Sequence, residues 1–239
     1  MKDAEREPAK RLPLFEGLPA SCVDYLLETA TVRRVVPGTI LFREGDPAEH
    51  VHIVMSGIIE ISQMQGRRDC GVLMFTGGDI FMTAAALFDE PYLTSARALT
   101  LSRLLVLEGA RLRREACTSS PLAMRICQLM AGQWRMAVRH ILDLKCRSAP
   151  ERLAAFLLRL VDDSPFSDTA ELPIPKRHLA SRVGMTAETL SRTLQLLADN
   201  GLHVRGNRIL VKDRPKIEKF CGPDPYPDRS ETSLGVFAL

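Results

Sequence analysis

The chain has 239 residues, enough for one large domain or two modest ones with real cores. Its 46% hydrophobic content is ordinary for a globular protein, and no apolar run is long enough to span a bilayer, which excludes a membrane-spanning helix as the organising element. The net charge of +3 does not by itself define a partner, but Glu171 to Cys221 holds ten basic and five acidic residues, a modest electrostatic footprint for phosphate.

Six cysteines (Cys22, Cys70, Cys117, Cys127, Cys146 and Cys221) contain no Cys-x-x-Cys pair, so a zinc ribbon or thioredoxin-like motif is absent. Met1 to Arg11 is charged and lacks an apolar core, so no secretory leader is expected. Reduced thiols in the cytoplasm are the expected state, and the scattered cysteines read as small apolar filler.

Residues 1–17 read as an N-terminal segment, after which Ser21 is a fair N-cap for a short helix through Glu28. From Val32 to Leu107 the pattern changes. Short apolar runs such as Val51-His52-Ile53-Val54-Met55 and Ile58-Ile59-Glu60-Ile61 are punctuated by Pro37-Gly38, Gly45-Asp46, Ser56-Gly57 and Gly77-Gly78. Short strands at near-regular spacing with turn signals predict a β-sandwich or barrel, within a domain over residues 18–120.

A long helix is expected from Pro121 to Lys145, in a segment over residues 121–147. Ala123, Cys127, Met130, Trp134, Ala137, Ile141 and Leu144 step by four and three in alternation, a heptad seam. The alternative is an ordinary amphipathic helix packed on its own domain. The second apolar set Ile126, Leu129 and Met136 favours the seam, because one face can then pack on the barrel and the other on a partner helix. Dimerisation also fits palindromic DNA.

A third domain occupies residues 148–221. Glu151 to Val161 reads as a helix with Leu153, Phe156, Leu157 and Leu160 inward, followed by a polar loop from Asp162 to Thr169. Lys176 to Asn200 carries a helix-turn-helix pattern. Leu179 and Val183 face inward, Ala180 lets the helices cross closely, and Gly184 supplies the positive φ of the turn. Thr186 caps the second helix, which Leu190, Leu194 and Leu197 bury. Glu188, Ser191, Arg192 and Gln195 remain outside, at a spacing that can reach base edges in a major groove. A plain αα-hairpin with a Glu188–Arg192 surface ion pair is the alternative. Val204 to Val211 reads as a hairpin turning at Gly206-Asn207, a wing. Residues 222–239 show no packing pattern and are expected to be a flexible tail.

On these residues the chain from Leu14 to Phe220 resembles the FNR–CRP family of bacterial transcription regulators. The resemblance implies an α+β fold: an N-terminal jelly-roll-like β-roll sensor of the cyclic-nucleotide-binding type, a long dimerisation helix and a C-terminal winged helix-turn-helix. Glu188-x-x-Ser191-Arg192 matches the recognition pattern of the FNR-like branch, and Ala187 stands where the CRP-like branch has arginine. It implies a TTGA-type half-site in an inverted repeat, with Arg192 on guanine, Glu188 accepting from cytosine and Ser191 beside thymine. Lys176, Arg177, Thr186, Thr189 and Arg208 are the candidates for the DNA backbone.

The resemblance also bears on the sensor. Gly78-Asp79-Ile80 and Thr94-Ser95-Ala96 resemble the ends of a cyclic-nucleotide phosphate cassette, but Asp79 stands for its glutamate and Thr94 for its arginine. Arg97 is displaced by strand alternation, and Ala137 and Val138 replace helix hydroxyls. A buried phosphate without its cation is strongly disfavoured, so cyclic AMP is not expected. An FNR-type iron–sulfur cluster is not expected either: only Cys22 lies near the N-terminus, and Leu105 holds the barrel position. No cofactor is expected, with haem the open alternative through His50, His52 or a loop Cys70. His50-x-His52 resembles part of a cupin metal site, but the next carboxylate is Glu60, so a metal-dependent β-roll enzyme is not expected. The expected protein is therefore a cytoplasmic homodimeric regulator. It is expected to bind double-stranded DNA and RNA polymerase, not membranes, and to activate transcription in a redox, low-oxygen or nitrogen-oxide response. A shift of the DNA-reading domains about Arg147 to Pro150 is the expected mechanism.

Overall fold

The computed structural model describes residues 3–65, 68–81, 83–166, 168–172 and 174–222. The chain divides into two compact units, the first reaching Met136 and the second starting at Ala137, inside one continuous helix.

In the first unit, α1 (Asp3–Lys10) and a 3-10 turn at Pro13–Phe15 precede α2 (Ala20–Glu28). Then come β1 (Thr31–Val35), β2 (Ile40–Phe42), β3 (His50–Ser56), β4 (Ile59–Gln65), β5 (Arg68–Phe75) and β6 (Ile80–Phe81). They are followed by α3 (Thr83–Phe88), β7 (Ser95–Ala98), β8 (Ser102–Glu108), α4 (Gly109–Thr118) and the start of α5 (Ser120–Cys146). The strands form two antiparallel four-stranded sheets ordered β1-β8-β3-β6 and β2-β7-β4-β5, consistent with the sandwich or barrel expected from the turn spacing and the β-roll the resemblance implies.

The apolar runs are nearly continuous because the first sheet is covered on both faces. Along β8, Leu104 and Val106 point between the sheets, while Leu105 and Leu107 point to the helices. The helix side is closed by Leu26 and Leu27 of α2, Leu112 of α4, and Leu122, Ile126 and Leu129 of α5. Ala9, Leu12, Leu14 and Phe15 join this same cluster, so residues 1–17 are not a separate segment: α1 and the turn after it close the sensor core. Arg125 of α5 holds them, donating to the Pro13 carbonyl at 2.7 Å and to Glu16 at 2.5 Å. Ser21 is not the α2 cap; Pro19 holds that position and no side chain bonds there. Cys70 lies in strand β5 rather than in a loop.

The second unit opens with the last turns of α5, which a two-residue break separates from the next helix. It contains α6 (Ala149–Asp162), β9 (Thr169–Glu171), α7 (Lys176–Arg182), α8 (Ala187–Asp199), β10 (Leu202–Arg205), β11 (Arg208–Val211) and α9 (Arg214–Cys221). Ser148 and Glu151 form a reciprocal capping box that starts α6. Leu153, Phe156, Leu157 and Leu160 are buried as expected, and Ala154, Ala155, Leu158 and Val161 are buried too. The end of the polar loop becomes β9, which pairs with β11 and makes the wing three-stranded. Residues 223–239, most of the expected tail, lie outside the described residues.

The turn between β3 and β4 depends on Gly57. Its φ is +92°, and a Cβ there would stand 2.2 Å from Ser102 Oγ and 2.7 Å from the Leu101 carbonyl. Gly57→Ala is expected to destabilise the sensor by about 2 kcal/mol or more, combining the left-handed strain with the clash. Urea unfolding measures it; an unchanged midpoint would show that the turn relaxes freely.

Candidate DNA interface and sensor core

Helix α7 ends at Arg182 in a Schellman cap. Met185 N–H donates to the Ala180 carbonyl at 2.8 Å, and Gly184 sits at φ +68°. The next helix starts at Thr186, whose Oγ1 accepts from Thr189 N–H at 3.2 Å and shares a hydrogen bond with Thr189 Oγ1 at 2.9 Å. Leu179, Ala180 and Val183 are buried at the crossing, as are Leu190 and Leu197 of α8, while Leu194 is half-buried. Thr193 is buried as well, its hydroxyl donating to the Thr189 carbonyl at 2.8 Å, an inward polar residue that apolar spacing does not reveal.

This packing leaves Glu188, Ser191, Arg192 and Gln195 exposed along one face of α8. Among the described residues no ion pair joins Glu188 to Arg192, so both charged heads remain available. Lys176 at the start of α7 and Arg208 in the wing are exposed; Arg177 lies in α7 with its side chain outside the described ones. Arg205 was not singled out by the sequence. It pairs directly opposite Arg208 at the base of the Gly206-Asn207 turn, and both are exposed. Like charges facing across a hairpin repel, and an anion between them relieves the repulsion.

The interior of the β-roll is filled with rings. Phe42 stacks on Tyr92 with centroids 3.9 Å apart, His52 on Phe81 at 5.2 Å, and Phe75 on Phe81 at 5.0 Å. His52 therefore faces the core, and its Nδ1 is buried with no partner. Burial, followed by the charges of His50 and Arg33, lowers its pKa to about 3, so the ring is neutral. His50, at the start of β3, is exposed. Glu60 is also buried but lies on the other face of its strand from Ile59 and Ile61, which line the core. It receives two hydrogen bonds from Arg97, at 2.6 and 2.8 Å. Arg97 is thus directed away from the roll interior, and Glu60 away from His52.

Asp79 lies in the stretch that resembles an end of a nucleotide phosphate cassette. It is 2% exposed, with Oδ2 accepting from Thr76 N–H at 2.6 Å and Oδ1 unpartnered. Burial pushes its pKa up to about 7 against the lowering effect of the Thr76 bonds. Beside it, the Ile80 carbonyl accepts from Gln133 of α5 at 2.6 Å. Cys22 and Cys221 are buried and their thiols raised by burial, but Cys117, Cys127 and Cys146 are exposed rather than filler.

Residues 32–116 match the cyclic nucleotide-binding domain family, and residues 151–220 the Crp-like helix-turn-helix domain family. The nitrogen fixation regulation protein FixK of Azorhizobium caulinodans is 29% identical over 189 residues, 75% of each chain. A CRP-like cAMP-activated global transcriptional regulator of Mycobacterium tuberculosis is 22% identical over 87% of this chain and 96% of its own. FixK2 from Bradyrhizobium japonicum has a similar structure, with a TM-score of 0.70 and 25% identity over 82% of this chain and 98% of that one. A β-roll of this type with a winged helix-turn-helix defines a DNA-binding transcription regulator, not an enzyme. The chain belongs to the FNR–CRP family, and its relatives support the FixK-like branch.

The sensor's buried carboxyl has a measurable consequence. Its folded pKa of about 7 lies above the ordinary 3.8, so its contribution to stability is complete below pH 3.8 and is lost as pH rises to 7. The loss amounts to about 4 kcal/mol. His52 acts in the opposite direction, lowering stability as pH falls from 6.5 toward 3. Subtracting the unfolding free energy of Asp79→Asn from that of the wild type across pH 4–7.5 isolates the carboxyl. The difference should move against the wild type as pH rises, and parallel curves would show an ordinary carboxyl.

Proposed function

We propose that the protein is a cytoplasmic homodimer that reads TTGA-type inverted repeats, contacts RNA polymerase as an activator, and serves a redox, low-oxygen or nitrogen-oxide response. The observation that carries the DNA reading is the exposed row Glu188, Ser191 and Arg192, held on a helix capped at Thr186 and launched from the Gly184 turn. Arg192 pairs with guanine O6 and N7, Glu188 accepts from cytosine N4, and Ser191 lies by a thymine edge. Thr186, Thr189, Lys176, Arg177 and Arg208 bind phosphate, joined by Arg205 across the wing. The response class is supported by a relative in Shewanella oneidensis named electron transport regulator A, 26% identical over 77% of this chain and 76% of its own.

The dimer reading is supported by α5. Trp134 is 70% exposed, Ile141 and Leu144 are each 47% exposed, and Cys127 is exposed. Ala137 is half-buried, and Met130 is shared, packing partly against the sensor core. A sensor without cyclic AMP is supported by the ring-filled interior, by Thr94 at the arginine position and by the engagement of Arg97 with Glu60. An iron–sulfur cluster would find Leu105 at its barrel position, buried under the helices. For haem, His52 is enclosed between Phe42 and Phe81 while His50 is exposed, and the side chain of Cys70 lies outside the described ones; the protein is expected to purify without a Soret band. No helix among the described residues is long and apolar enough to cross a membrane.

Arg192→Ala is expected to cost about 1–3 kcal/mol against the intact half-site and to erase the preference at one guanine. Anisotropy titrations on single-base variants measure this, and unchanged discrimination would refute the base assignment. Trp134→Glu places a charge on the apolar seam and should yield monomers by light scattering. An intact dimer would place the interface elsewhere.

A further inference from the structure

In the second unit two helices end against one arginine. Arg152, in the first turns of α6, donates from Nη1 to the Arg147 carbonyl at 2.8 Å and from Nη2 to the Val183 carbonyl at 3.2 Å. Arg147 directly follows α5, and Val183 directly follows α7. Both carbonyls belong to the set that a helix leaves without an internal partner. Both helix ends also carry partial negative charge, which favours a cationic donor. A guanidinium can meet both because its N–H groups diverge in a fixed plane; an ammonium is a single point donor.

The surroundings hold this bridge in place. The Arg152 backbone N–H bonds the Ser148 carbonyl at 2.9 Å, so the side chain starts from the capped end of α6. Asp143, 7% exposed in the last turns of α5, is bonded by Arg159 of α6 at 2.9 Å and by Arg147 at 3.3 Å. Val183 immediately precedes Gly184, the turn residue that launches α8, and a Cβ at Gly184 would stand 3.8 Å from Arg152 Nη2.

We propose that Arg152 is a positioning residue for DNA recognition: a strut that fixes the α7–α8 turn against the C-terminal end of α5. It thereby sets the spacing and direction in which two copies present α8 to an inverted repeat. The proposal rests on the dimeric, inverted-repeat reading given above. Arg152 itself need touch no DNA. Its contribution is that the second half-site is met without a search by a loosely held domain.

The test compares the full-length wild type, Arg152→Met and Arg152→Lys on three duplexes. One carries the inverted repeat, one carries the repeat with two base pairs inserted between half-sites, and one has a single half-site with the other scrambled. Light scattering and thermal unfolding check the dimer and the fold. Arg152→Met should keep single-half-site affinity within about twofold but lose about tenfold or more on the correct repeat, and should discriminate less against the insertion. Arg152→Lys should behave the same way, and it carries the test if the methionine variant does not fold. An equal fall on all three duplexes would reduce Arg152 to a stabilising residue and overturn the proposal. So would unchanged binding, or full spacing discrimination in Arg152→Lys. If the wild type itself does not prefer the repeat to the single half-site, the inverted-repeat reading falls and the strut with it. A wild-type preference that survives in both variants removes the strut alone.

Discussion

Helix α5 carries two apolar stripes, and one β-roll can cover only one of them. Leu122, Ile126 and Leu129 close the sensor core, and Gln133 anchors the helix to the Ile80 carbonyl. Beyond that point Trp134, Ile141 and Leu144 stay exposed. Burying such surface yields about 25 cal/mol per Å², so a cluster of this size is a standing drive toward association. In the proposed dimer a second copy would present the same stripe and satisfy it symmetrically. On the proposed dimer, two recognition helices would meet a repeated half-site, and each DNA-binding unit would need to be held at one angle to its own end of α5.

The sensor matches the cyclic nucleotide-binding domain family over residues 32–116, and its interior is packed with rings. Rings from Phe42, His52, Phe75, Phe81 and Tyr92 occupy the space between the sheets. Strand β6 is attached to α5 through the hydrogen bond from Gln133 to the Ile80 carbonyl. The interior holds a neutral histidine and a carboxyl whose pKa burial raises to about 7, and their effects on stability run in opposite directions with pH. On the outer face Arg97 meets Glu60 Oε2 through two hydrogen bonds.

The recognition region was legible because local rules decide it. A threonine cap, a glycine with positive φ and a two-residue hairpin each leave a mark a few residues long, and Thr186, Gly184 and Gly206-Asn207 all took the conformations those marks imply. The β-roll was legible as alternating runs and turns. Helices α1 and α9 were not, because they are short, charged and stabilised by docking rather than by their own periodicity. The cysteines misled for a related reason: residue type suggests burial, but Cys117, Cys127 and Cys146 lie on helix faces that the fold leaves open.

By itself the sequence determined the exposed row Glu188, Ser191 and Arg192, the cap at Thr186 and the turn at Gly184. These are properties of neighbours in the chain, set by backbone geometry and side-chain chemistry within a turn or two. The tertiary structure alone decided which stripe of α5 is covered, that Arg97 turns outward to Glu60, and that Arg205 faces Arg208. It also decided that one guanidinium satisfies the carbonyls of Arg147 and Val183, which lie far apart in sequence. Leftover helix carbonyls and uncovered apolar faces have no sequence signature of their own. Their partners are whatever the folded chain brings near, and here it brought Arg152 to both helix ends.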